Sequence, residues 1–190
     1  MNAIVKEFPG QEGTFYRTNL PEPVPGPGQV KIKVMAASIC ASDIHALYNG
    51  LMADRYRYPV IIGHEGAGVV VEVGEGVEDI RVGDRVTAET TLTSCGTCEY
   101  CRKGETNMCA SRKGLGSAAD GYFANYCIAS AKYCHKLADD LSFEEGALAE
   151  PFACVVHAVC NLTHPMAGDL VLVVGPGPMG QMVAALAKAS

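Results

Sequence analysis

The sequence has no run of lysine or arginine that could track a phosphate backbone. Fifteen basic against twenty-one acidic residues leave a net charge of -6. Nucleic acid is therefore not an expected partner, because its binding depends on a concentrated cationic surface. No stretch approaches the ~18 uninterrupted apolar residues that a membrane span requires. The opening Met1 to Gly10 carries Glu7 and Pro9, and no apolar run of signal-peptide length follows a basic start. The expected setting is the cytoplasm, with no membrane partner. Internal repeats and low-complexity tracts are also lacking. With 48% hydrophobic and 19% charged residues, the chain has too little net charge for extended disorder and should fold. Its 190 residues suffice for one domain with a sizeable core, or one domain plus part of another.

What the sequence does have is cysteine, nine in all. In a reducing compartment, and in odd number, these read as metal ligands and buried thiols rather than a disulfide frame. Cys95, Cys98, Cys101 and Cys109 follow C-x2-C-x2-C-x7-C, with Gly96 and Gly104 permitting tight turns between them. Zinc takes four thiolates tetrahedrally, and cysteines two residues apart in a turn supply neighbouring corners. Such a site is closed. It leaves no position for water or substrate, so the metal would be a structural staple for a loop without a core of its own. An iron-sulfur cluster would also use four thiolates, and four incidental buried cysteines are the remaining reading. A DNA-binding zinc module fits poorly, because its paired cysteines flank a longer spacer and sit beside basic residues. Cys127, Cys134, Cys154 and Cys160 are expected to be packed thiols.

Much of the chain reads as short strands between Gly and Pro turns. Gln29 to Met35 alternates Val30, Ile32 and Val34 on one face, and Val69 to Val73 and Arg85 to Ala88 look similar. Turns are expected at Gly74-Glu75-Gly76 and Val82-Gly83-Asp84. The texture changes near Ser142, which with Glu145 forms a capping box ahead of helix formers. A second helix should open at Glu150-Pro151 and pack Phe152, Val155, Val156 and Val159 as an apolar stripe. The continuously apolar Leu170 to Val174 is expected to be a buried parallel strand.

A second group of candidate ligands is spread further apart: Cys40 lies in Cys40-Ala41-Ser42-Asp43-Ile44-His45, and Gly63-His64-Glu65 follows later. The metalloprotease helix H-E-x-x-H is excluded because its last position is Gly68, and two glycines would weaken such a helix. The residues instead resemble the zinc-dependent medium-chain alcohol dehydrogenase family. Its signature G-H-E-x2-G-x5-G-x2-V is matched by Gly63, His64, Glu65, Gly68, Gly74 and Val77. Cys40, Ser42 and Asp43 match its C-x-[ST]-D, and the four-cysteine lobe has the family spacing. The resemblance runs from Pro23 through the Leu170 to Gly180 segment.

The resemblance implies an α+β chain. A GroES-like irregular β-barrel catalytic domain would occupy residues 1–149, with its structural zinc lobe at about 93–112. The first β-α unit of a Rossmann domain would follow at 150–190. It further implies a catalytic zinc held by Cys40 and His64, with a third ligand drawn from Glu65 or Glu150. Glu150-Pro151-Phe152 matches the E-P-[LF] context of sorbitol and related polyol dehydrogenases. In that branch the earlier Glu can ligate directly while the later one holds the metal-bound water, so both stand as candidates. Ser42 is assigned to take the alcohol proton and His45 to pass it on, while Asp43 is expected to orient His64 rather than bind metal.

Zinc performs no redox chemistry, so hydride needs an acceptor. Gly175, Gly177 and Gly180 form G-x-G-x-x-G between an apolar segment and a helical one, which in this company points to NAD or NADP. The acidic residue that reads the ribose would lie beyond Ser190, so the two cofactors are not distinguished. The substrate implied is a small alcohol or polyol, and the assembly a homo-oligomer, dimer or tetramer. Family members run to roughly twice this length and a dinucleotide fold needs several βαβ units. The chain by itself is therefore expected to bind zinc with little or no turnover. Its alternatives are a zinc-binding, non-catalytic fragment, or a threonine or simple alcohol dehydrogenase of the same family.

Overall fold

A computed structural model describes residues 1–49 and 53–189. The chain separates into two compact units, Met1–Ala147 and Leu148–Ser190. The first is built on a five-stranded antiparallel sheet in the order β10-β6-β5-β3-β9. Its strands are β3 (Gln29–Ser38), β5 (Glu65–Val73), β6 (Arg85–Ala88), β9 (Tyr126–Ser130) and β10 (Cys134–Lys136). A three-stranded sheet joins β1 (Ala3–Lys6), β2 (Thr14–Arg17) and β4 (Val60–Ile61) in the order β2-β1-β4. A ribbon pairs β7 (Thr91–Thr93) with β8 (Lys113–Gly114).

The alternation expected in β3 does place Val30 and Ile32 in the core, both with no exposed area, whereas Val34 is half-buried and packs beside Leu115, Tyr122 and Cys127. Val30 and Ile32 join Val70, Ile80, Val86, Ala88 and Ala129 in one cluster. These come from the facing strands β3, β5, β6 and β9 and from one loop, so the central sheet buries one face against its own turns. Such residues contribute roughly 1.5–3 kcal/mol each on transfer from water. Two register shifts interrupt the β3–β5 ladder, between Lys31 and Ile32 and between Val34 and Ala36.

Strand β5 starts four residues earlier than the apolar pattern predicts, at Glu65 rather than Val69. Glycine usually weakens a strand, but here it marks a close approach. A Cβ on Gly68 would lie 2.1 Å from the Lys33 carbonyl oxygen, and one on Gly66 2.4 Å from the Tyr122 ring. Buried Lys6 closes the β1–β2 connection, donating from Nζ to the Gly10 carbonyl at 2.8 Å.

Helix α1 (Ala41–Asn49) follows β3, and α2 (Glu99–Arg102) lies in the cysteine-rich segment. The capping box forms reciprocally at α3 (Phe143–Ala147): Ser142 N–H donates to Glu145 Oε2 at 2.7 Å, and Glu145 N–H donates to Ser142 Oγ at 3.1 Å.

In the second unit, α4 (Ala149–Val156) carries Glu150 in its first turn and continues as a π-helical turn, His157–Thr163. Only part of the expected apolar stripe is buried: Val155 and Val159 are, Val156 is half-buried and Phe152 is exposed. Leu170 to Val174 departs from expectation more sharply. It forms no strand, and Leu170, Leu172 and Val174 are 100%, 85% and 90% exposed. A strand needs a neighbour to satisfy its backbone groups and cover its side chains, and among the described residues none pairs with this one. Helix α5 (Pro178–Ala189) follows, opening on proline as the first helical position allows.

The loop between β5 and β6 yields a pH-dependent prediction. Asp84 Oδ2 accepts from Lys136 Nζ and from the Arg81 N–H, both at 2.8 Å. Lys136 first, then that N–H, hold the carboxyl below the usual aspartate range. A depressed carboxyl stabilises the fold above the unfolded-state pKa and loses that contribution as pH falls through the folded one. Solvent screening keeps the effect small. Asp84→Asn should cost about 0.5 kcal/mol in urea unfolding at pH 7. The difference from the parent should shrink on acidification below the ordinary aspartate range.

Candidate metal centres

The four cysteines of the lobe are positioned by their own backbone. Cys98 caps α2, its Sγ accepting from Cys101 N–H at 3.5 Å, while Cys98 N–H points to Cys95 Sγ at 3.3 Å and Cys95 N–H to Cys109 Sγ at 3.5 Å. Gly96 and Gly104 take φ of 71° and 85°, the left-handed turns that let the chain double back. All four sulfurs lie within 4.8 Å of one another, and Cys95 and Cys101 are 3.9 Å apart. Tetrahedral Zn–S bonds of ~2.3 Å place sulfurs about 3.8 Å apart, so the donor set and its spacing fit zinc. Backbone N–H groups of Thr97 and Cys98 pull the Cys95 thiol down to about 6, while, against the Cys101 N–H, desolvation and the neighbouring sulfurs push Cys98 up to about 11, so the clustered thiols hold their protons unevenly. Helix α2 buries none of its residues, and Tyr100 and Met108 are exposed. The lobe thus has little apolar core to hold it. It is tied to the sheet by the β7–β8 ribbon, where Thr93 faces Lys113 across its base.

The second cluster assembles residues far apart in sequence. Cys40, His64 and Glu65 each offer an atom within 4.8 Å of the others. Cys40 follows the end of β3 and His64 precedes the start of β5, and these two ends meet because the ladder is antiparallel, closing at Ala37↔Gly66 and Ser38↔Glu65. Glu65 is buried at 4% exposure, and its Oε2 accepts from Ser38 Oγ. Asp43, in the first turn of α1, links two of the three: its Oδ2 accepts from Cys40 N–H at 3.1 Å, and its Oδ1 lies 3.3 Å from His64 Nδ1. With Nδ1 turned to Asp43, Nε2 is the nitrogen left for a metal. Burial disfavours a charged His64, yet the Asp43 carboxylate and the Cys40 sulfur outweigh it and raise the imidazole to about 9.

The remaining predicted residues are placed as follows. Ser42 is half-buried and His45 exposed on α1. Glu150 is half-buried in the second unit, so the Cys40, His64 and Glu65 cluster forms within the first unit without it. Gly175 takes φ of 107°, and a Cβ on Gly180 would lie 1.9 Å from the Gly175 carbonyl oxygen, so the turn before α5 requires glycine at both. Gly177 has open space around it.

Two residues escaped the sequence reading. Ser38 becomes visible only through the pairing of β3 with β5. Tyr56 stacks on Tyr58 with ring centroids 6.0 Å apart, and its phenol is pushed up to about 12 by burial and then by Asp43, Tyr58 and Cys40. Neither carries a motif.

A family model for the alcohol dehydrogenase GroES-like domain matches residues 26–139, more than half the chain. The chain belongs to that family. It is 47% identical over 188 residues to a sorbitol dehydrogenase of Halalkalibacterium halodurans, covering 99% of this chain and 53% of that one. It is 42% identical over 191 residues to an L-threonine 3-dehydrogenase of Thermococcus kodakarensis, covering 100% and 53%. Among solved structures it resembles a short chain alcohol dehydrogenase of Escherichia coli CFT073 complexed with NADH, with TM-score 0.84 and 38% identity over 99% of this chain and 53% of that one. The chain spans about half the length of the curated relatives it matches. Among the described residues no helix is long and apolar enough to cross a membrane.

Close backbone packing around His64 supplies a stability prediction. Gly121 and Tyr122 run beside the segment leading to His64, with Gly121 N–H bonded to Ile61 O at 2.8 Å and Tyr122 N–H to Gly63 O at 2.9 Å. A Cβ on Gly121 would sit 1.9 Å from the Gly63 carbonyl oxygen, where only backbone movement can relieve it. Gly121→Ala should destabilise the first unit by about 2–3 kcal/mol in urea unfolding. Gly76→Ala, at φ 76° with nothing within 4 Å, should cost only about 1 kcal/mol for its left-handed backbone.

Proposed function

We propose that this chain carries the metal-binding catalytic domain of a zinc-dependent dehydrogenase that passes hydride from a secondary alcohol or polyol to NAD or NADP. The observation that carries the reading is the convergence of Cys40, His64 and Glu65 on one point, beside a separate, closed set of four cysteines. A thiolate, an imidazole and a carboxylate suit zinc, and three protein ligands leave a position for substrate, whereas four thiolates do not. Glu65 is the third ligand in this reading, being gathered with Cys40 and His64 in one unit.

When bound, the zinc supplies a Lewis acid for the substrate oxygen. The protein's own residues do the rest. Cys40 and Glu65 provide the negative charge that retains the ion, and Asp43 fixes the His64 ring through Nδ1 so that Nε2 faces the site. Ser42, two positions after Cys40 on α1, takes the hydroxyl proton, and His45, one turn further and exposed, delivers it to solvent. Gly175, Gly177 and Gly180 bring backbone to the cofactor pyrophosphate at the start of α5. Sorbitol and threonine, the substrates named for two relatives, both offer a secondary hydroxyl, which is the group this mechanism needs. The working protein is a cytoplasmic homo-oligomer.

Elemental analysis tests the two centres separately. The purified chain is expected to hold two zinc ions, one lost in Cys98→Ser and the other in Cys40→Ser. A chain that keeps its full metal content in Cys40→Ser has no catalytic zinc at this cluster. In a form carrying a complete dinucleotide-binding domain, Cys40→Ser should abolish NAD- or NADP-dependent oxidation across a panel of sorbitol, threonine and simple alcohols. Turnover that survives this substitution would sink the mechanism.

A further inference from the structure

Ser38 is the last residue of β3 and the direct cross-strand partner of Glu65, the first residue of β5. Its Oγ donates to Glu65 Oε2, and the same Oγ lies 3.4 Å from the Ala147 carbonyl oxygen at the end of α3. A serine hydroxyl has one proton and cannot donate to both at once. At 4% exposure, Glu65 must take its donors largely from the protein, and Ser38 is the side chain that supplies one. Without that donor a carboxylate at this depth is free to rotate about its terminal bond, which is broad and weakly restrained.

Resting on the reading of Glu65 as a zinc ligand, we propose that Ser38 is the positioning residue of the site. Its hydroxyl holds the Glu65 carboxylate toward Cys40 and His64 by donating to Oε2, which leaves the other carboxylate oxygen for a metal. The backbone ladder fixes where Ser38 and Glu65 stand, and the hydroxyl fixes how the carboxylate is turned. Ser38 touches no substrate in this role. Its effect is on the affinity and symmetry of the metal site.

Threonine and valine at position 38 have the same shape and differ in the hydroxyl, so Ser38→Thr and Ser38→Val separate the hydrogen bond from packing. The probes are zinc, titrated in competition with a chelator, and cobalt(II), read by its visible d–d bands at the site containing Cys40. Ser38→Val is expected to weaken binding at that site by about 10- to 100-fold, the usual cost of removing a residue that orients a ligand, and to shift the cobalt bands. Ser38→Thr should keep the parent affinity and spectrum, and the four-cysteine lobe should bind equally in both. Equal affinity and identical bands in the two variants overturn the role of Ser38. Glu65→Ala distinguishes the two levels of the argument. If it abolishes binding while Ser38→Val does not weaken it, Glu65 stands as ligand and Ser38 has no positioning role. If it changes neither affinity nor bands, the ligand reading fails and this inference fails with it.

Discussion

The antiparallel pairing of β3 with β5 is the constraint on which the rest of the first unit depends. It carries the centre of the core, where Val30 and Ile32 meet Val70. Its far end does different work, because the chain leaves β3 toward Cys40 at the same edge where it arrives at β5 from His64. A ligand set drawn from two distant segments needs both to be held to within a fraction of an ångström, and a hydrogen-bonded ladder achieves that better than loops do. Asp43 then closes the arrangement, its Oδ2 bonded to the Cys40 N–H and its Oδ1 3.3 Å from the His64 imidazole. The apolar core at one end of the ladder thereby holds the polar cluster at the other.

Glycine makes that closure possible on the opposite side. The segment Gly63-His64-Glu65-Gly66 runs under Gly116, Gly121, Tyr122 and Phe123, and any Cβ on Gly66 would strike the Tyr122 ring. Of these, Gly63, His64 and Glu65 match the sequence signature, which has a physical meaning here: it records candidate ligands together with a glycine whose Cβ would lie 2.4 Å from the Phe123 ring. Gly68 is the same case against the Lys33 carbonyl. Packing of backbone on backbone leaves no slack, since interiors resist compression and pass strain to their neighbours.

How much of this could be read from the residues depends on distance along the chain. The four-cysteine lobe was legible from spacing alone, because its ligands sit within one short segment whose turns are set by Gly96 and Gly104. The capping box at Ser142 was legible for the same reason. Cys40 with His64 was legible only through resemblance, since nothing in their spacing says that two strand ends coincide. The early start of β5 was hidden by its glycines, whose value lies in contacts that the sequence does not display. Ser38 was invisible because it acts through Glu65, a partner brought close only by tertiary pairing. The strand expected at Leu170 to Val174 failed for a related reason. Apolar pattern gives a segment the capacity to pair, but pairing needs a neighbour.

The same contrast separates the two metal centres. The lobe's sulfurs are brought together by hydrogen bonds within a single loop, several of them from one cysteine backbone to another cysteine's sulfur. Closing so short a loop costs little chain entropy, so metal can order the lobe while the remainder of the chain is still unfolded. The cluster of Cys40, His64 and Glu65 has no such local route. Its ligands meet after the β3–β5 ladder has formed, and the loop that it closes is longer and gains nothing until the sheet exists. A metal at the lobe would therefore take part in folding this region, whereas one at the second cluster would depend on a fold already made. Under the proposed reading, a site that leaves a coordination position open benefits from that order, because its geometry is set by the sheet and not by an ion's own preference for four protein ligands.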